Sequence, residues 1–371
     1  MTDFVVIGGG IAGVSAAAHL APHGSVTLLE MEATLAYHTS GRSAAMLVEN
    51  YGSDGARPLV KAARPFLESP PEGSVDHPLL SSRAVIWVGG PRSGGSLEAR
   101  AIEARSRGAT CELLEADAVI EHIPAMRRDW LGAGLYEPSG ADIDVAGLHQ
   151  AFVRIARGHG AEIHAGSPVG AVTRTSRWVV QAGGREYHAD VLVNAAGAWG
   201  DHVAAMAGVA PIGLQPMRRT AFMVPGSEES ADWAMVVESE ERFYFRPDGT
   251  QFLCSLAEET PSQPMDARPR FEDVALAIER INDATTLGIR TVNSQWAGLR
   301  TFAPDRDLVI GEDPTAAGFY WLVGQGGIGI QTSPAYGELL ACLVTGASLP
   351  SHFADAGVDP ERTTPARFRS F

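Results

Sequence analysis

Lysine is nearly absent from this chain of 371 residues: Lys61 is the only one, and arginine supplies the rest of 29 basic side chains. A lysine nucleophile or Schiff base is therefore not expected. Cysteine is also scarce. Cys111, Cys254 and Cys342 lie far apart with no C-x-x-C pair, which argues against a disulfide framework or a zinc site and predicts buried, inert thiols. Positive charge is in deficit, at a net −15 with no stripe of arginines, so nucleic acid is not an expected partner. No uninterrupted apolar run is long enough to span a membrane, because the segment from Phe4 to Leu20 is broken by glycines. Strand character by residue 4 leaves no room for a signal peptide, so a cytoplasmic location is expected, with peripheral membrane attachment left open. Repeats and low-complexity tracts are missing.

What is present is a globular composition, 45% hydrophobic and 20% charged, on a length that favours about two domains. The chain opens with an apolar strand, Asp3-Phe-Val-Val-Ile, a turn Gly8-Gly-Gly10-Ile-Ala-Gly13, a small-residue helix to Leu20, and a second strand ending at Glu30. This order is that of a dinucleotide-binding unit. Gly8 permits the tight turn, Gly10 lets a pyrophosphate approach the backbone at the helix N-terminus, and Gly13 lets helix and strand pack closely. Glu30, about 20 residues on, is placed for ribose hydroxyls.

Further along, residues 33 to 52 are too rich in Ser, Thr and Gly for a strand and predict a turn and helix beside the cofactor. Helices are expected over residues 57–68, 96–108, 145–158 and 271–286, with Asp144 capping the third. Strands are expected at 84–88, 161–164, 169–173, 178–181, 189–194, 220–224, 243–246, 296–302, 308–311 and 319–323. A closing helix runs to Val344 with Pro334 in its first turn.

Three blocks occur together: the glycine turn with Glu30, the strand end Asn194-Ala-Ala-Gly197, and Gly324-Gln-Gly-Gly327-x-Gly329. Together they resemble the D-amino-acid oxidase superfamily of FAD enzymes over residues 3 to about 350. Within it, Tyr37-His-Thr-Ser-Gly-Arg42-Ser-Ala-Ala, Gly140-Ala-Asp-Ile-Asp144 and Trp296-Ala-Gly-Leu-Arg300 are most similar to the bacterial D-arginine dehydrogenases. The resemblance implies an α/β (α+β) fold of the glutathione-reductase type, with a Rossmann-like FAD domain interleaved with a mixed-sheet substrate domain. The FAD domain would comprise residues 1–84, 140–210 and 297–371, and the substrate domain residues 85–139 and 211–296.

It also implies roles. Arg300 would pair with a substrate carboxylate, for which a planar guanidinium fork is well shaped. Arg219 would add a second positive group, with Arg218 on the other face of the same strand. Tyr244 would offer a hydroxyl to the carboxylate, and Tyr51 would close the site. Met46, Val85 and Ile328 would line the substrate pocket. Val85 and Met46 stand where the resembled dehydrogenases carry a glutamate and a histidine, which points to an uncharged side chain, unless Glu49 or Glu240 restores cation binding.

For the cofactor the resemblance implies Gly8, Gly10, Ile11, Ala12, Gly13 and Glu30, then Arg42, Ser43 and Ala44. Val169, Ala196, Gly197 and Trp199 follow, and finally Gly326, Gly327, Ile328, Gly329, Ile330, Gln331 and Thr332, where a helix N-terminus would face the flavin. With no cysteine after Gly311, FAD should be dissociable. With no lysine beyond Lys61, a dehydrogenase passing electrons to a quinone is favoured over an O2-using oxidase. The expected chemistry is oxidation of a D-amino acid to its imine, then 2-oxo acid and ammonia. Alternatives are a glycine or sarcosine type of amine oxidase, a 2-hydroxy acid dehydrogenase, a non-catalytic flavoprotein, or a protein binding NAD alone.

Overall fold

The computed structural model describes residues 2–91 and 93–369, with Thr2 described by its backbone alone. The first strand, Thr2–Ile7, lies at the centre of a six-stranded sheet ordered Val309–Glu312, Phe319–Val323, Val191–Asn194, Thr2–Ile7, Gly24–Leu29, Glu162–His164. All neighbours are parallel except the edge strand Val309–Glu312. A central parallel strand is covered on both faces, which is why it is continuously apolar. Phe4 and Val6 point into one core, against the helices Ile11–Leu20 and Ser333–Thr345, while Val5 and Ile7 point into the other, against Trp178, Val180 and the helix Gly200–Met206. The period-2 alternation of one strand thus builds two layers.

The helix Ile11–Leu20 is almost wholly buried because its small residues admit close neighbours. Ser15 Oγ donates to Ser333 O at 2.6 Å, and a side chain at Gly337 would collide with Ser15. An antiparallel meander, Val169–Arg174, Trp178–Ala182 and Arg185–Ala189, packs beside this sheet; its third strand carries no sequence signal strong enough to anticipate.

The second large sheet is mixed and runs Thr260–Pro261, Gln215–Pro225, Gln251–Ser255, Tyr244–Asp248, Met235–Glu238, Val85–Gly89, Ala133–Glu137, Glu112–Glu115, with Ser294–Phe302 paired to Gln215–Pro225. Ser294–Phe302 stays in this sheet along its whole length, across the expected boundary at 297. One face, with Ile86, Phe222, Phe245 and Cys254, packs on the helix Phe271–Ala284 through Val274, Ala277 and Ile281 at helical spacing. The opposite face carries Arg219, Ala221, Tyr244, Val237, Val85 and Trp87 toward the six-stranded sheet. Arg218 alternates to the helix side, where its guanidinium pairs with Asp273 at 3.0 Å.

The helix Val145–Gly158 forms as expected, with Asp144 accepting from Gly147 N at 2.8 Å. Two expectations need correction. Residues 33–52 hold turns, one 3-10 turn at Ser40–Arg42 and the short strand Met46–Leu47, since Gly41 and the polar residues do not sustain a helix. Cys111 and Cys254 are buried but Cys342 is only half-buried. No described helix is long and apolar enough to cross a membrane.

Candidate active site

A cavity of about 400 Å³ runs along the carboxyl ends of the six-stranded sheet to the inner face of the mixed sheet. It begins where the chain leaves Thr2–Ile7 to one side while Val191–Asn194 lies on the other, the switch point at which open α/β sheets bind ligands. Ile7, Leu29 and Ala195, each at or just past a strand end, line it.

The glycine turn is shaped by close approaches. Gly8 has φ 114°, and a Cβ there would lie 2.5 Å from Ala195 O. A Cβ at Gly9 would lie 2.9 Å from Glu30 Oε2, the oxygen that accepts from Gly9 N at 2.6 Å. Glu30 Oε1 accepts from Glu32 N at 2.8 Å, so each carboxylate oxygen is oriented by one backbone donor and keeps lone pairs for the cavity it lines. His149 Nε2 lies 3.0 Å from Gly9 O, and because a carbonyl only accepts, this nitrogen carries the proton. Burial, opposed by that bond, lowers the His149 pKa and keeps the ring neutral. Together these groups form a backbone cradle backed by one acid, which is what a dinucleotide requires, and no side chain fills it.

Most of the residues expected at the cofactor line the cavity: Gly8, Gly10, Ile11, Ala12 and Glu30; Arg42, Ser43 and Ala44; Val169, Ala196, Gly197 and Trp199; and Gly326, Gly327, Gly329 and Ile330. Gly13, Ile328, Gln331 and Thr332 lie outside its lining. Gly13 acts behind the turn, where a Cβ would strike Gly8 O. Gln331 Oε1 accepts from Val48 N at 2.8 Å, and Thr332 donates to Ile328 O at 2.8 Å, so both serve the backbone. The helix that follows begins at Ser333, four residues beyond Gly329, so the segment between presents turn amides rather than a helix end. The Arg42 guanidinium is committed elsewhere, to Ala267 O at 3.0 Å, Ala297 O at 2.9 Å and Asp266 Oδ1 at 2.6 Å, so it ties segments together and offers no free charge.

At the far end, Arg219, Tyr244 and Arg300 line the cavity. Their strands explain the convergence: Gly298 pairs with Arg219 and Arg300 with Met217, so both guanidiniums rise from one antiparallel pair. Arg219 Nε donates to Glu258 O at 2.7 Å, and its Nη2 lies 3.5 Å from Glu259 Oε1. Burial, then the neighbouring Arg300 charge, lower the Arg219 pKa. Burial also works against the Arg300 charge, but Tyr51, Tyr244 and the more distant charge of Glu259 together outweigh it and the net shift is upward. Among the described residues no carboxylate lies within 4 Å of the Arg300 guanidinium.

Tyr51, Met46 and Val85 do not line the cavity. Tyr51 stands one layer back, its hydroxyl donating to Glu241 Oε2 at 3.2 Å and its ring stacked on Trp87 at 6.4 Å, though it still acts on Arg300. Val85 is 1% exposed in the apolar cluster around Trp87 and Tyr244, with Met46 packed against it. Glu49 pairs with Arg64 and Glu240 with Arg242, so neither offers a free acid to the cavity. Sequence reasoning missed His38, His202, Thr301 and Gln325 in the lining, and Glu258 and Glu259 behind Arg219. His38, Thr301 and Gln325 lie in or beside the quoted motifs and were within reach; His202 and the pair Glu258 and Glu259 come from segments that carry no such motif.

The family model described as FAD dependent oxidoreductase (DAO) matches residues 3–343. Glycerol-3-phosphate dehydrogenase 1 of Mycobacterium bovis is 28% identical over 327 residues, 80% of this chain and 62% of that protein. Human mitochondrial sarcosine dehydrogenase is 25% identical over 363 residues, 91% of this chain and 39% of the relative. The chain thus spans about three fifths or less of the length of these curated relatives. Among solved structures, L-proline dehydrogenase from P. horikoshii superposes with a TM-score of 0.85 at 21% identity, covering 99% of this chain and 97% of that one. Glycine oxidase from Geobacillus kaustophilus gives 0.82 at 22%, covering 94% and 96%. These relatives support the superfamily and leave the narrower resemblance to D-arginine dehydrogenases unsupported. With the family model spanning nearly all of the chain and the cradle shaped for a dinucleotide, this protein belongs to the DAO family of FAD-dependent oxidoreductases, and FAD is its cofactor.

Proposed function

We propose that the protein oxidises the amine of an α-amino acid with an uncharged side chain, in the D configuration, releasing an imine that water converts to a 2-oxo acid and ammonia. The observation that carries this is the charge of the cavity wall: Arg300 and Arg219 face it beside Tyr244, while the one carboxylate in the lining among the described residues, Glu30, sits at the glycine turn. Two guanidiniums suit a carboxylate, and a cationic side chain would find no acid to offset its desolvation. This replaces Val85 as the reason for an uncharged side chain. The D configuration rests on the motif resemblance alone.

Bound FAD supplies the acceptor for the two electrons that leave with the Cα hydrogen. Arg300 and Arg219 hold the carboxylate, with the Tyr244 hydroxyl beside it, and so fix the substrate's orientation. Gly327, Gly329 and Ile330 also line the cavity, and their amides, unlike those of Gly326 and Ile328, which donate to Thr301 O and Gln325 O, are left as donors for an anionic cofactor edge. The amine must be neutral when the hydrogen leaves, and no base from this chain is assigned to Cα. Lys61 lies on the outer helix Ala56–Glu68, with its Nζ on Asp355 O, and takes no part in the cavity. That favours a dehydrogenase with a quinone or other acceptor over an O2-using oxidase, with FAD held without a covalent bond.

A second reading, a glycine- or sarcosine-type amine oxidase, is favoured by the match to sarcosine dehydrogenase across 91% of this chain. Anaerobic spectra of the FAD-loaded protein with D-leucine, D-methionine, D-phenylalanine, L-leucine, D-arginine, glycine and sarcosine, each added separately, decide between them. Bleaching by the neutral D-amino acids and not by D-arginine is the expected result. Bleaching by D-arginine or L-leucine would overturn the side-chain or the stereochemical assignment, and bleaching by sarcosine alone would favour the second reading.

A further inference from the structure

The two arginines of the cavity wall are not equivalent. Arg300 has no carboxylate within 4 Å among the described residues, whereas Arg219 is backed by the tandem acids Glu258 and Glu259. The backbone turns sharply here, with Ala257 at φ 60°, and this turn aims Glu258 O at Arg219 Nε. The two acids then diverge. Glu258 Oε1 accepts from Thr220 N at 2.6 Å, its Oε2 is buried without a hydrogen-bond partner, and burial raises its pKa against the effect of that bond. Burial thus works against its charge, which still bears on Arg219. Glu259 bridges two cations: Arg219 at 3.5 Å, and Arg306 Nη2, which donates to both its oxygens at 2.9 and 2.8 Å.

Arg306 is itself fixed. It adopts φ 66° and stacks on the Phe302 ring at 3.9 Å, and that ring occupies the space a Cβ at Gly326 would need. Arg306 is half in solvent, where its charge is screened, while Glu259 faces the buried Arg219.

We propose that Glu259 is a specificity-determining residue: by offsetting Arg219 it leaves the anion end of the cavity with an effective charge nearer one than two, so the site accepts a monocarboxylate and discriminates against substrates bearing a second acidic group. This rests on the reading that Arg300 and Arg219 bind the substrate carboxylate. Removing one negative charge behind Arg219 helps every anion, but helps a dianion about twice as much. Arg306 acts in the opposite sense, because without it Glu259 bears on Arg219 alone.

The test uses FAD-loaded protein at pH 8, titrated with propionate and with malonate, a monoanion and a dianion of similar size. Affinities are read from flavin difference spectra and from inhibition constants against the best substrate. Glu259→Gln is expected to lower the malonate-to-propionate ratio of dissociation constants about tenfold, Arg306→Met to raise it, and Glu259→Asp to keep it within about twofold of the native value. Opposite shifts from two members of one network would not arise from general loosening. An unchanged ratio in Glu259→Gln, or shifts of the same sign in Glu259→Gln and Arg306→Met, would overturn the inference. Arg300→Met separates the two levels: if it binds propionate as tightly as the native protein, the carboxylate reading itself fails, whereas if it loses propionate while the ratio ignores Glu259, only the inference fails.

Discussion

Replacing Arg300 with Met should separate activity from stability, in opposite directions. The guanidinium lies against Gly327, where a Cβ would stand 2.7 Å from Nη1, and it faces the cavity without an acid. A bidentate contact to a carboxylate comprises two charge-assisted hydrogen bonds, each worth about 1.5–3 kcal/mol. Losing both, with Arg219 retaining part of the attraction, should lower kcat/KM by about two to three orders of magnitude. Burial opposes the charge and no carboxylate lies within 4 Å of it among the described residues, so an apolar flexible side chain in its place should gain about 1–2 kcal/mol. With an unfolding entropy of about 2.1 cal/mol/K per residue, that corresponds to a rise in Tm of about 1–3 °C for a chain of this length. Anaerobic stopped-flow reduction of the flavin gives the first quantity and a thermal scan followed by flavin fluorescence the second. A variant within threefold of native kcat/KM, or one whose Tm falls with its activity, would refute the assignment.

Arg218→Met, one residue from Arg219, should do the reverse. It removes a buried partner of Asp273, costing about 3 kcal/mol and lowering Tm by about 4 °C, with kcat/KM within twofold of native. Glu30→Ala removes the acceptor of Gly9 N and Glu32 N and should weaken FAD binding about 10- to 100-fold, measured by fluorescence of released flavin. His149 and His19 both have pKa values lowered by burial, so below about pH 6.5 the unfolded chain binds more protons than the folded one. Stability is complete above that pH and falls as pH drops toward the folded values. His149→Gln, which can still donate to Gly9 O, should flatten part of the decline in Tm between pH 6.5 and 5; an unchanged slope would remove His149 from that account.

The legible parts of this protein are those encoded in a few contiguous residues. Gly8 to Gly13 with Glu30 reads as a cradle because each residue answers a local steric or hydrogen-bonding need, and Val145–Gly158 is bounded by its own cap. The alternation in Gln215–Pro225 likewise separates Arg218 from Arg219 without knowledge of the fold. Residues 33–52 misled because their polarity marks a segment against the cofactor site but says nothing about whether one turn continues into a helix.

What the sequence determined by itself, then, is the strand-turn-helix chemistry of the dinucleotide end and the family, because those signals repeat at fixed spacing and depend on neighbours within one or two turns of chain. Only the tertiary structure decided the arginine end of the cavity. Whether Val85 faces a ligand or a core, whether the Arg42 charge is free, and which arginine has an acid behind it depend on how strands far apart in sequence pack. Glu259 meets Arg219 across 40 residues of chain and Arg306 meets Glu259 across 47, and long-range ion pairs of this kind leave no local pattern to read.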